Sequence, residues 1–140
     1  MNIQDIMTAK VQLMDPGTTL RDAAKRLRDE DVGALPLGEN DRLTGMITDR
    51  DIAVRGVAGD KDPDNSIVDE IKSDSVYYCY EDEDVERAAD IMAEHQVRRL
   101  PVLNRDKRLV GMISLADLPE GGVVDKALKG ISQTSQNARN

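Results

Sequence analysis

The chain has 140 residues, 39% hydrophobic and 33% charged, and a net charge of −8 from 19 Lys and Arg against 27 Asp and Glu. That length suits one compact domain or two small repeats sharing a core, and the chain lacks the apolar run of ~18 residues that a membrane-spanning helix needs. The acidic balance disfavours general binding to nucleic acid or anionic lipid, a single cysteine excludes an intrachain disulfide and argues against a cysteine-based zinc site, and the absence of Trp and Phe leaves an aliphatic core.

The opening "MNIQDIMTAK" carries Asp5 and lacks the basic start and apolar run of a secretory signal, so a cytoplasmic location is expected. Leu20, Ala23, Ala24 and Leu27 fall at i, i+3, i+4 and i+7, an apolar helical stripe that Thr19 can cap, with Lys25, Arg26 and Arg28 on the wet side. Two short apolar runs, "VGALPL" and "LTGMIT", flank the polar turn "GENDR" and read as strands. A second helix is then expected through "DRDIAVRGVAG", which closes a first repeat over 1–58. Residues 59–66, "GDKDPDNS", form a linker. Asp60, Asp62 and Asp64 alternate like the start of a calcium loop, but the position needing glycine is Asn65 and the twelfth is Ile71, so a solvated linker is the better reading.

Residues 67–120 repeat the pattern. A shift of 65 aligns Ile6 with Ile71, Ala23-Ala24 with Ala88-Ala89, Val32 with Val97, and Leu35-Pro36 with Leu100-Pro101. One inserted residue near Lys107 then aligns Gly45-Met46-Ile47 with Gly111-Met112-Ile113, Thr48 with Ser114, and Asp51 with Asp117. Val85, Ala88, Ala89 and Met92 form the matching stripe behind Asp84, and "VRRLPVL" and "LVGMIS" form the matching strands around "NRDK". The second motif's helix is cut short by Pro119 and the glycines of "LPEGG". In 121–140, "VVDKALKGI" reads as a terminal helix and "SQTSQNARN" as a frayed polar tail.

The opening "DIMT", the doubled Leu-Pro strand and the doubled Gly-Met-Ile-(Thr/Ser)-x-x-Asp run make the chain resemble a cystathionine β-synthase (CBS) domain pair. The resemblance implies an α/β (α+β) fold of two β-α-β-β-α repeats packed sheet to sheet. It also implies two clefts for adenosine-containing ligands, built from both repeats, and a homodimer.

A carboxylate can accept hydrogen bonds from both hydroxyls of a ribose, and Asp51 and Asp117 stand where a strand passes into a helix. Thr48 and Ser114 precede them, beside backbone N–H groups expected to be free for a phosphate. Pro36 and Pro101 cannot donate to a ladder and are expected at an edge or bulge. The resemblance implies that the surrounding residues, Leu35-Pro36 and Leu100-Pro101, line the adenine pocket. Arg50 and Arg55 can meet phosphate beside the first motif, whereas "SLADLPEGG" supplies no cation, and Arg98 and Arg99 are candidates to compensate. The Asp51 cleft is therefore expected to be the stronger. The rival reading is that both motifs only cap helices.

His95 lies near a helix end, where the helix dipole suffices to explain it. Cys79 reads as a partly buried free thiol, and the tyrosines around it as packing between the repeats, with adenine contact as the lesser reading. No nucleophile, base and orienting group stand together, so catalysis is not expected. The function expected is a regulatory sensor of AMP, ADP, ATP or NAD, active in a stress response. It would need no other cofactor and no metal, and would signal through a change of shape or a separate protein. The alternative is a ligand-independent dimeric scaffold.

Overall fold

The computed structural model describes residues 1–73 and 76–138, with side chains through residue 132. In chain order it contains β1 (Thr8–Ala9), α1 (Leu20–Glu30), β2 (Ala34–Glu39), β3 (Arg42–Thr48), α2 (Asp49–Asp51), β4 (Cys79–Tyr80), α3 (Val85–His95), β5 (Arg99–Leu103), β6 (Leu109–Ser114) and α4 (Gly122–Ala138). The chain is a mixed α/β protein whose described residues form two compact units. Gln12–Val76 carries the Asp51 motif, and Met1–Val11 with Tyr77–Asn140 carries the Asp117 motif. They are called the Asp51 unit and the Asp117 unit below.

The packed units and the sequence repeats are cut in different places. Ile3, from the start of the first repeat, is fully buried among Val85, Ala88, Met92 and Leu100 of the second. Its backbone N–H donates to the Glu83 carbonyl at 2.9 Å, and β1 pairs with β6 through Thr8↔Met112 and Ala9↔Gly111. The reciprocal holds for the start of the second repeat: Val68 and Ile71 are buried with Leu20, Leu37 and Ile47, and Ser73 bridges Met46. The 3₁₀ turns Ile3–Asp5 and Val68–Glu70, 65 residues apart in sequence, thus each complete the core of the other repeat's body.

The Asp51 unit is built as its apolar pattern demands. Thr19 accepts a hydrogen bond from the Asp22 backbone N–H at 3.2 Å and so caps α1, while Leu20, Ala23 and Leu27 are buried. β2 and β3 form an antiparallel hairpin in which Asn40 and Asp41 both take positive φ, 53° and 62°, the conformation that a two-residue turn matching strand twist requires. After α2 the expected helix does not continue as ordinary α-helix. Ile52–Val57 is π-helical, with the Ala58 N–H bonded to the Ala53 carbonyl at 3.0 Å. Three β-branched residues and a buried glycine, Gly56, supply little α-helical preference there.

The Asp117 unit has a four-stranded sheet in the order β1-β6-β5-β4. Asp84 caps α3 through the Glu86 N–H at 2.9 Å, and Val85, Ala88, Ala89, Ile91 and Met92 are buried beneath it. The inserted residue lies in the β5–β6 turn, where Asn104 Oδ1 accepts from the N–H groups of Asp106 and Arg108, each at 3.0 Å, and Lys107 takes φ 61°. The Asn104 N–H donates to the Arg108 carbonyl at 2.9 Å and closes a three-residue loop, 105–107, that ends in a left-handed residue and replaces the two-residue turn of the other unit. The expected frayed tail at 132–140 lies largely outside the described side chains, and residues 139 and 140 lie outside the described residues altogether.

Candidate functional site

Both motifs fold into a turn that ties hydroxyl to carboxylate. Thr48 Oγ1 accepts from the Asp51 N–H at 3.0 Å, and the Thr48 N–H donates to Asp51 Oδ2 at 3.1 Å. In the Asp117 unit the Ser114 N–H donates to Asp117 Oδ2 at 2.8 Å and the Ser114 hydroxyl donates to the same oxygen at 3.1 Å. One oxygen of each carboxylate is therefore anchored to the turn, and among the described residues no donor reaches the other, Oδ1. Thr48, Asp51, Ser114 and Asp117 are all half-buried. A half-buried carboxylate with one fixed oxygen is a pre-oriented acceptor for a pair of hydroxyls.

Strand register decides what surrounds each turn. Ala34 pairs with Thr48, Leu35 with Ile47 and Pro36 with Met46; Arg99 pairs with Ser114, Leu100 with Ile113 and Pro101 with Met112. Alternation puts each proline on the same sheet face as its motif hydroxyl. Leu35 and Leu100 point the other way, into their units' cores at 3% and 0% exposure, and the Pro36 and Pro101 side chains are fully buried as well, so all four residues can line a site only through their backbone.

Neither proline interrupts a ladder. The Pro36 carbonyl accepts from the Met14 N–H at 2.8 Å in an isolated bridge. Parallel pairing of β4 with β5 starts at Cys79↔Val102, one residue beyond Pro101. β5 is an interior strand, so Pro101 is tolerated at the end of a ladder rather than at a sheet edge.

One expectation about phosphate needs correction. The first-turn N–H groups beside Thr48 are already used, Asp49 to the Gly33 carbonyl at 3.0 Å, Arg50 to Asp49 Oδ1 at 2.7 Å and Asp51 to Thr48. Leu115 N–H is likewise bonded to the Arg98 carbonyl at 2.8 Å. Arg55 is exposed and donates from one guanidinium nitrogen, Nη1, to the carbonyls of Ile71 and Lys72 at 3.4 and 3.2 Å. Arg50 and Arg98 are exposed, and Arg99 is half-buried as the direct cross-strand neighbour of Ser114. Sequence reasoning proposed Arg99 but not this pairing, and it passed over Asp49. Counting alternate positions back from Pro101 through the hairpin would have found the pairing.

The groups outside these turns engage one another. His95 stacks on Tyr77 with ring centroids 3.7 Å apart, Tyr78 meets Tyr80 edge-on, and the Arg105 guanidinium sits over Tyr80 while pairing with Asp82. That hydrogen-bonded pair holds the Asp82 carboxyl below its ordinary range. Cys79 is buried rather than partly buried, and burial pushes its thiol up to about 12. Asp62 accepts from the Asp64 N–H at 3.0 Å while Asp64 pairs with Arg21 of α1, so the calcium-like loop uses one carboxylate on its own turn and one on the neighbouring helix.

A model of the CBS domain matches residues 3–56 and 68–119. The chain belongs to the CBS domain family. Hypoxic response protein 1 of Mycobacterium tuberculosis is 43% identical over 126 residues, covering 86% of this chain and 87% of that protein. A crystal structure of hypoxic response protein I with two coordinated zinc ions is 42% identical, with a TM-score of 0.76 over 84% of this CBS chain and 95% of that one. The CBS domain pair of MJ0100, solved with 5′-methylthioadenosine and S-adenosylmethionine, is 27% identical with a TM-score of 0.74 over 84% and 91% of the two chains. CBSX2 solved with AMP is 25% identical, with a TM-score of 0.71 over 91% and 96%.

Among the described residues no three His, Cys, Asp or Glu side chains stand together to hold a metal. The one cysteine is buried with its thiolate disfavoured, and the one histidine is stacked on a tyrosine. No helix of the described residues is long and apolar enough to cross a membrane.

Proposed function

We propose that the chain is a regulatory module that binds adenine nucleotides and performs no chemistry on them. It would act in the cytoplasm as a homodimer whose change of shape is read by a separate protein. The observation that carries this reading is the Ser114–Asp117 turn. A capping motif stabilises a helix by satisfying its first N–H groups, so its value depends on there being a helix behind it. Behind Ser114 there are only three residues of 3₁₀ turn, Leu115–Asp117, then an extended Leu118 and Pro119. The motif persists where it has almost nothing to cap. A ligand role accounts for that.

Asp51 and Asp117 would each accept the two ribose hydroxyls through the outward Oδ1. The backbone beside the buried Pro36 and Pro101 would meet the adenine edge. AMP, ADP, ATP and NAD share this adenosine group. Solved relatives carry AMP, 5′-methylthioadenosine and S-adenosylmethionine, which supports an adenosine ligand of this kind. Regulation requires that the ligand bind two arrangements of the protein with different affinity, since only differential binding shifts an equilibrium.

Thermal unfolding of the purified protein with AMP, ADP, ATP, NAD and S-adenosylmethionine tests the reading. A ligand at 100 times its dissociation constant should stabilise by about 2.7 kcal/mol per site and raise the midpoint by several degrees, and the Asp51→Ala, Asp117→Ala double variant should lose the rise. If no ligand moves the midpoint, the protein is a scaffold and the motifs serve its fold.

A further inference from the structure

Building on that reading, we infer that the two motifs divide adenosine ligands by charge: the Asp117 site takes a 5′-phosphorylated adenosine, and the Asp51 site takes one whose 5′ substituent is uncharged or cationic. This reverses the ranking expected from sequence, and register is the reason. The four positions flanking the Asp117 motif on paired strand and turn are Arg98, Arg99, Leu115 and Ala116. Their counterparts in the Asp51 unit are Gly33, Ala34, Asp49 and Arg50. The first set carries two positive charges and no negative one. The second carries one of each.

Placement strengthens the contrast. Arg99 is the direct antiparallel partner of Ser114, where neighbouring Cβ atoms stand about 4.5–5.5 Å apart, and being half-buried it is less screened than a surface charge. Among the described residues neither Arg98 nor Arg99 forms a salt bridge, so their charge is available to an anion. In the Asp51 unit the strand residue facing the hydroxyl is Ala34. The Asp49 carboxylate is held against the start of β2, with Oδ2 3.5 Å from where a Cβ on Gly33 would stand and Oδ1 bound to the Arg50 N–H. With the N–H groups of that turn already bonded, a phosphate arriving there meets a fixed carboxylate and one exposed arginine. Arg55, on the π-helical segment, donates from Nη1 to the carbonyls of Ile71 and Lys72.

Titration calorimetry with AMP and with 5′-methylthioadenosine, on the parent protein and on Asp51→Ala and Asp117→Ala, separates the possibilities. Asp51→Ala should keep AMP and lose 5′-methylthioadenosine, and Asp117→Ala should do the opposite. In the Asp51→Ala background, Arg99→Ala should weaken AMP by about tenfold or more, the loss of one charge-assisted hydrogen bond, with Arg99→Lys recovering part of it. Circular dichroism of each variant checks that it is folded. If both single variants bind both ligands with the same preference, the division by charge is overturned while the adenosine reading stands. If the parent protein binds neither ligand, that reading and this inference fall together.

Discussion

After β3, the Thr48–Asp51 turn includes the three residues of α2 and leads into six of π-helix; after β6, the Ser114–Asp117 turn includes three residues of 3₁₀ helix and leads straight into extended chain at Leu118. The same Gly-Met-Ile strand and the same hydroxyl-to-carboxylate spacing serve both. What differs is everything the motif would do for the fold. In one unit the hydroxyl accepts a helix N–H, and in the other it donates to the carboxylate and supports no helix. A shared feature whose structural benefit is unequal points to a shared role outside the fold, and the two units can be perturbed in pairs to show where their symmetry holds and where it ends.

Symmetry should hold most fully in the cores. Ile47 and Ile113 are both completely buried and occupy the same place in β3 and β6. Ile47→Ala and Ile113→Ala should each cost about 2–5 kcal/mol in urea unfolding, the largest effects expected here. A difference between them of more than about 2 kcal/mol would mean that the two cores are not equivalent.

It should break at the glycines two residues earlier. A Cβ on Gly111 would stand 2.6 Å from the Thr8 carbonyl oxygen and 2.8 Å from Met7 Sδ, because β1 runs directly against β6. A Cβ on Gly45 would meet the Lys72 side chain at 2.9 Å, and a lysine stem can move aside. Gly111→Ala should therefore cost about 1–3 kcal/mol, as other insertions into filled space do. Gly45→Ala should stay within about 0.5 kcal/mol of the parent. Equal costs would show that the exchanged segments are held alike in the two units.

This glycine contrast marks where the sequence was legible. Periodicity gave both main helices with their caps, Thr19 and Asp84, and both hairpins, down to the inserted residue at Lys107, since each is a local pattern with a local cause. The exchange of Ile3 and Val68 between repeat bodies is non-local and leaves no trace in spacing, because an apolar residue at a segment start fits either core. For the site, the hydroxyl and carboxylate pairs were legible as a motif doubled in register. Which residues share their face was not read, because a strand's alternation has to be counted from a known register. That the Leu35 and Leu100 side chains enter the cores, and that Arg55 bonds backbone carbonyls of a segment 16 residues on, likewise follows from register and tertiary contact rather than from spacing.

Alkaline pH should also separate the units. Cys79 occupies the position that Met14 holds in the other unit: Cys79 pairs with Val102 and Met14 with Leu37, 65 residues earlier in both members. Burial raises the Cys79 thiol to about 12. The unfolded chain gives up this proton near pH 9 while the folded chain keeps it, so the thiol's contribution is intact below that pH and is lost as pH rises towards 12. Stability should fall by up to about 1.4 kcal/mol per pH unit in that window through this group. Denaturation at pH 8, 9 and 10 should show the slope reduced in Cys79→Ala; an unchanged slope would place its origin in other groups.

The smallest effects test the central comparison most directly. Thr48→Ala removes an acceptor from the Asp51 N–H at the head of a helix and should cost about 1 kcal/mol in ligand-free protein. Ser114→Ala removes a hydroxyl bonded only to a carboxylate oxygen that the Ser114 N–H already holds, and should cost about 0.5 kcal/mol or less. Guanidinium unfolding resolves the difference when both variants are measured together. With saturating AMP the order should reverse, because the serine stands beside Arg99 and the threonine beside Ala34. A hydroxyl that matters little to the empty fold and more to the loaded one is serving a ligand. If Ser114→Ala stays the milder substitution with AMP present, the Asp117 turn is a remnant of the repeat rather than a phosphate-side contact.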